Sequence, residues 1–371
     1  MRVVKILGLS AVAVAGLAVA GPAMAASDVS NNQGVANQAI SAVTAPVASS
    51  QTASLIGSAI GNALGGGFSV GGAGGFTGGG SGGFSPSPSG GFSPGGSGGP
   101  TSMLMNTRET GKAGGGSPAK FGLWAQGAWV NIDKTEAALA MDGNIYNVVG
   151  GLDYKFNSRV LAGLALGGEW TDITTKFNNG TFKDTGVTLA PYVGVTLTPH
   201  WGWDLSVGHT WLSYDVKSNS GATTGSFDGN RWFGASNFTG NYAVKRWILS
   251  PKVGVMYLKE SQDAYTDSRG GANASNDILF GNVTGGGKVG YAFNNFVPYA
   301  KLMGEWDFKQ PSAVLKSNGQ MSAVDDAGAT AAVGIDIFKG PISGTLEGAY
   351  NSIGRTALDV WQTTARIRYQ F

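Results

Sequence analysis

From Phe121 to the end of the chain, hydrophobic and polar residues alternate with a period of two. In one segment Tyr146, Val148, Leu152, Tyr154 and Phe156 share a face, while Asn147, Gly151, Asp153 and Lys155 share the other. The next sets Val160, Ala162, Leu164, Leu166 and Trp170 against Gly163, Ala165, Gly167 and Glu169, and a later one sets Trp247, Leu249, Val253, Val255 and Tyr257 against Ser250, Lys252 and Gly254. Successive strand residues point to opposite faces, so each segment has one apolar and one polar side. Twelve such segments can be traced, each near the 9–11 residues that a tilted membrane strand needs. A soluble sandwich would require a dry second face, whereas here that face carries Lys, Glu, Asp, Arg, Thr and Gly. The pattern predicts an all-β fold, a 12-stranded antiparallel transmembrane β-barrel over residues 119–371.

The connections alternate in length. Short turns fall at 157–159, 198–202, 245–246, 294–295 and 339–341, and longer polar loops at 132–143, 174–184, 217–229, 261–277 and 309–325. Short inner turns and long outer loops are the outer-membrane arrangement. Aromatics gather near strand ends (Tyr154, Trp170, Trp203, Trp247, Trp306, Tyr369), as interface girdles do.

The strand register assigns the charges that face the lumen. The acids are Asp153, Glu169, Asp204, Glu305, Asp307, Asp336 and Glu347, and the bases are Lys155, Arg231, Lys252, Lys288, Lys301, Arg366 and Arg368. Near balance argues against a ring of one sign and favours paired charges bracing a plugged lumen. Twelve strands enclose a bore suited to one helix or one strand pair.

The N-terminal region reads differently. Arg2 and Lys5 precede an apolar run from Ile6 to Gly21, then Pro22 and a small-x-small site at Ala23-Met24-Ala25. This is a secretory signal peptide over residues 1–25, with the mature chain starting near Ala26. Residues 26–65 carry apolar positions at helical intervals (Ile40, Val43, Val47, Leu55, Ile56, Ile60, Leu64), and Pro46 is expected to divide them into two short helices. Gly57, Gly61 and Gly65 either form a ridge for close backbone approach or simply weaken the helix, and the second reading is preferred. Residues 66–118 are a Gly/Ser/Pro-rich linker with no apolar bulk for a core, so disorder is expected there. Such a coil spans roughly 40 Å, enough to reach either barrel mouth.

Composition narrows the functions. The chain has no cysteine, two histidines and a net charge of +2 with mixed signs, which leaves no support for a disulfide framework, a thiolate metal site or a nucleic-acid surface. His209 falls on the lipid face and His200 in a short turn, so neither is placed as a catalytic base and no enzymatic activity is expected. The pair Asn31-Asn32 could suggest self-cleavage, but a polar terminus explains it better. The Gly-rich runs follow no strand and open no phosphate-binding helix, so no cofactor is expected.

Three features carry a family resemblance: the opening Trp124-Ala125-Gln126-Gly127, the strand count, and the close Ala365-Arg-Ile-Arg-Tyr-Gln-Phe371. The region from Gly122 to the carboxyl end resembles the translocator barrel of autotransporters. That resemblance implies an outer-membrane pore of twelve strands holding one helical segment, with an upstream passenger delivered to the cell surface. It also implies that Ile367, Tyr369 and Phe371 form the signal read by the barrel-assembly machinery, with outer-membrane lipid and periplasmic chaperones as the other partners. Here residues 26–118 are short and without repeated strands, and the candidate helix nearest the barrel, Met103 to Glu109, is brief. The reading that follows is a barrel displaying, or plugged by, its own N-terminal segment. The alternative is a narrow porin or a structural or adhesive surface protein acting through its loops.

Overall fold

A computed structural model describes residues 32–64, 120–312 and 325–371. The signal peptide, Asn31, the linker and the Met103 to Glu109 segment lie outside the described residues.

The alternating segments form twelve long strands. They are β1 (Phe121–Lys134), β2 (Met141–Lys155), β3 (Val160–Thr175), β4 (Gly180–Thr196), β5 (Trp201–Ser218) and β6 (Thr223–Gly240). The second half comprises β7 (Trp247–Gln262), β8 (Asn276–Tyr291), β9 (Phe296–Lys309), β10 (Ala327–Lys339), β11 (Ile342–Ile353) and β12 (Leu358–Gln370). Each pairs antiparallel with its sequence neighbours, and β12 returns to β1 from Gly122↔Gln370 to Lys134↔Leu358. The sheet is a closed 12-stranded barrel, so no long edge is left without hydrogen-bond partners.

The outer surface shows two aromatic levels. Trp129, Tyr146, Trp170, Trp211, Trp232, Tyr257, Trp306 and Trp361 mark one, and Phe121, Phe156, Phe238, Trp247, Phe296 and Phe371 the other, all exposed. On β9, Phe296 and Trp306 are about 34 Å apart along the strand and about 25 Å apart along the axis at the usual tilt, the height of an outer-membrane apolar band.

Strands of 12 to 18 residues exceed the length expected from the sequence. Much of what reads as loop is paired strand: β3 and β4 meet at a turn of residues 176–179, and β5 and β6 at residues 219–222. Beyond the upper girdle the alternation continues with its outward positions polar, as in Asp172, Lys183, Asp215 and Lys259. A sequence without apolar outward residues reads as loop even where its inward residues remain apolar.

Inside lies one helix, α1 (Gln33–Ala63), about 46 Å long at 1.5 Å per residue. It is continuous through Pro46, contrary to the expected division at that residue. Proline inside a helix costs about 3 kcal/mol by removing one backbone donor and crowding the previous turn. Packing along nearly the whole helix offsets that local cost. No described helix is long and apolar enough to cross a membrane.

Candidate functional site

The helix belongs in the lumen because its two ends find different surroundings. Its C-terminal half, Leu55, Ile56, Ala59, Ile60 and Ala63, is buried against Trp124, Leu161, Ala190, Tyr192, Phe233 and Leu258. Ile40, nearer the start, packs with Ile173, Phe182, Tyr214 and Phe227 in the hairpins above the girdle. At the short-turn mouth, a Cβ at Gly194 would run into Ile60 Cγ2 and Leu64, so a side chain there would force the end of the helix to shift.

Polar contacts fix its rotation. Gln126 Nε2 donates to the Leu55 carbonyl at 2.6 Å, and Ser58 Oγ donates to Gln126 Oε1 at 3.1 Å. Asn147 takes part in bonds with Gln51 (2.6 Å) and Thr52 (3.2 Å), Gln262 donates to Ser41 (2.8 Å), and Arg366 donates to the Ser58 carbonyl (3.2 Å). Asn32 caps the start by accepting from the Val35 amide, and Gly34 lies beside Asn273 of the long loop after β7. In that loop Tyr265 accepts from Asn37 at 2.8 Å and stacks on Phe227 at 4.7 Å. Burial pushes the Tyr265 phenol up to about 12. Gly57 approaches Asn237 and Asp204, whereas a Cβ on Gly61 would meet nothing within 4 Å. Gly57 and Gly61 therefore do not share one close-packed ridge, and Gly65 lies outside the described residues.

The structure places the assigned lumen charges as follows. Arg368 makes two hydrogen bonds to Asp153, which also accepts from Tyr192. Arg231 bonds Glu169 at 2.7 Å and Glu260 at 2.8 Å. Lys288 pairs with Asp336 (3.2 Å), Lys301 with Glu347 (2.5 Å), and Arg355 with Glu305 (3.2 Å) and Asp307 (2.8 Å). Arg366 approaches Asp336 at 3.5 Å, Asn237 donates to Asp204 at 2.7 Å, and Lys252 faces the lumen beside the helix. Lys155 shares the Asp153 face of β2. Glu260 and Arg355 were missing from the sequence assignment. Glu260 continues the Ser250, Lys252, Gly254 parity and was legible, while Arg355 lies in a hairpin turn with no strand register to read.

Ile367, Tyr369 and Phe371 are exposed on one outward face of the closing seam. The two histidines sit apart. His209 lies against Trp211 and Trp232, and His200 stacks on Tyr242.

A closed barrel with aromatic girdles and an internal helix defines an integral protein of the bacterial outer membrane. A family model for the autotransporter β-domain matches residues 123–338, and the chain belongs to that family. Among solved structures it is similar to the translocator domain of autotransporter NalP from Neisseria meningitidis, at TM-score 0.58 and 15% identity, covering 68% of this chain and 89% of that one. The β-domain of the Bordetella autotransporter BrkA aligns at TM-score 0.55 and 20% identity, covering 68% and 100%. The transport unit of AIDA-I from Escherichia coli aligns at TM-score 0.54 and 12% identity, covering 68% and 90%. These likenesses concern the fold. No match is found among curated proteins.

Proposed function

We propose that this protein is an autotransporter-type barrel whose own N-terminal segment threads the lumen, plugs it and brings the residues before Asn32 to the outer mouth. The observation carrying this reading is the direction of α1. Asn32 and Gly34 lie at the long-loop mouth beside Asn273, and Leu64 lies at the short-turn mouth beside Gly194 and Gly202. Lys120 accepts a hydrogen bond from the Lys155 amide at that same short-turn mouth, so residues 65–119 join two ends on the periplasmic side. The barrel acts as a conduit and support without catalysis. Its working partners are outer-membrane lipid and, during biogenesis, periplasmic chaperones and the barrel-assembly machinery.

The test is conductance in planar bilayers, comparing the full chain with a chain starting at Lys120, both shown to be heat-modifiable. The full chain should pass several-fold less current. Equal currents would mean that nothing N-terminal occupies the pore.

A further inference from the structure

The helix fills the lumen unevenly. It packs against β1 to β8 and leaves a cavity of about 480 Å³ walled mainly by β7 to β12, within the size range of small-molecule sites. Toward this space the helix presents small neutral residues, among them Ser54, Ser58, Gly61 and Asn62. The cavity reaches Gln310 and Thr356 at the outer mouth. Its other end is floored by Ile248, Ala292, Val297 and Phe338, packed around Tyr299.

The barrel wall supplies charge in two levels. Near the outer mouth Arg355 bridges Glu305 and Asp307. Deeper, Lys252, Lys288, Lys301 and Arg366 face only two acids, Asp336 and Glu347. Both acids are already engaged. Asp336 accepts from Lys288 and from Thr345 (2.5 Å), and Glu347 from Lys301 and Tyr299 (2.7 Å). The next acid around the wall, Asp204, is held by Asn237 outside the cavity, and counting it leaves one more cation than acids at this deeper level, while the outer level sets Glu305, Asp307 and Asp325 against Arg355 and Lys134. Lys252 makes no hydrogen bond or ion pair among the described residues. A cation facing a partly desolvated cavity beside neutralised carboxylates is stabilised by an anion brought from outside.

We propose that this half of the lumen is an anion-binding vestibule, entered from the outer mouth, that takes a small multiply charged oxyanion on Lys252, Lys301 and Arg366. The ligand class is a phosphorylated or polycarboxylate solute. The inference rests on the lumen-helix reading above, because the helix forms one wall of the site.

Inorganic pyrophosphate is the probe, titrated calorimetrically at low salt into the full, heat-modifiable chain. Saturable binding of one pyrophosphate per chain is expected. Lys252→Gln should weaken it about tenfold, the size of one lost charge-assisted hydrogen bond. Gly61 lines the cavity with open space at its Cβ position, so Gly61→Asp should weaken binding by repulsion while Gly61→Asn leaves it unchanged. If Lys252→Gln fails to assemble, the two Gly61 variants decide alone. No binding by the native chain, or equal binding by the Gly61→Asp and Gly61→Asn variants, would overturn the proposal. A disulfide joining cysteines introduced by Gly34→Cys and Asn273→Cys reports the helix separately. If it forms while pyrophosphate does not bind, the vestibule alone is wrong; if it does not form, the lumen-helix reading is wrong as well.

Discussion

Arg368 on the last strand reaches across β1 to Asp153 on β2, with its two terminal nitrogens 2.9 and 2.6 Å from the carboxylate oxygens. The residue beneath that bridge is Gly122, where a Cβ would stand 2.0 Å from Arg368 Nη2 and 2.6 Å from Asp153 Oδ1. The first and last strands form the seam that closes the ring, and this buried pair ties three strands together at the seam. Trp124 supports it by donating to Tyr192 at 2.8 Å, which in turn donates to Asp153.

Removing one partner should therefore cost more than removing both. Asp153→Ala leaves a buried guanidinium unpaired, with an expected loss of about 3–5 kcal/mol, while an apolar pair such as Asp153→Leu with Arg368→Met should lose less. Urea unfolding of the folded barrel in detergent measures both. A double variant less stable than Asp153→Ala would contradict this account of the seam. Gly122→Ala should destabilise as well, because the bridge must then shift aside.

Phe371 closes the same seam at the periplasmic rim. It exchanges two backbone hydrogen bonds with Phe121, at 3.0 and 3.1 Å, and its ring stacks on that of Phe121 with centroids 5.8 Å apart. Deleting Phe371 should greatly reduce the heat-modifiable, protease-resistant barrel in the outer membrane, whereas Phe371→Tyr should assemble nearly normally. Normal assembly of the deletion would remove Phe371, and with it the face shared by Tyr369 and Ile367, from the assembly signal.

The loop over the helix start carries a pH-sensitive turn. Backbone amides, chiefly that of Gly271 and then that of Arg269, hold the Asp267 carboxyl below its usual range. A depressed carboxyl contributes stability above its unfolded pKa and loses it as the pH falls through its folded value. The turn should therefore persist through mildly acidic conditions and loosen only below the ordinary aspartate range. Amide NMR shifts of Gly271 and Arg269 would follow this, and a midpoint at or above the ordinary value would contradict it.

The barrel was legible because one rule, apolar outside and polar inside, repeats along every strand within the membrane. Above the girdle that rule fails. The outward residues Asp172 and Lys183 pair with each other at 2.7 Å in water, so the strand ends of β3 and β4 looked like loop. Inward apolar residues such as Ile132, Ile145 and Ile173 carried the missing signal. They are fully buried, which makes little sense for a water-filled pore but suits one filled by a helix. Pro46 misled for a related reason: local propensity argued for a break, and contacts with residues far away in sequence overrode it. The open half of the lumen had no sequence signature, because it depends on which side of the barrel the helix chooses.

α1 lies inside the barrel with its start at the outer mouth, and one disulfide tests this placement most directly. A Cβ at Gly34 would lie 3.7 Å from Asn273 Cβ, close to the mean spacing in disulfides of about 3.8 Å. The native chain has no cysteine to compete. Protein carrying Gly34→Cys and Asn273→Cys, isolated from the outer membrane under mild oxidation, should migrate as a single cross-linked species that reductant reverses. Two free thiols in a correctly assembled, heat-modifiable barrel would show that the helix start is elsewhere.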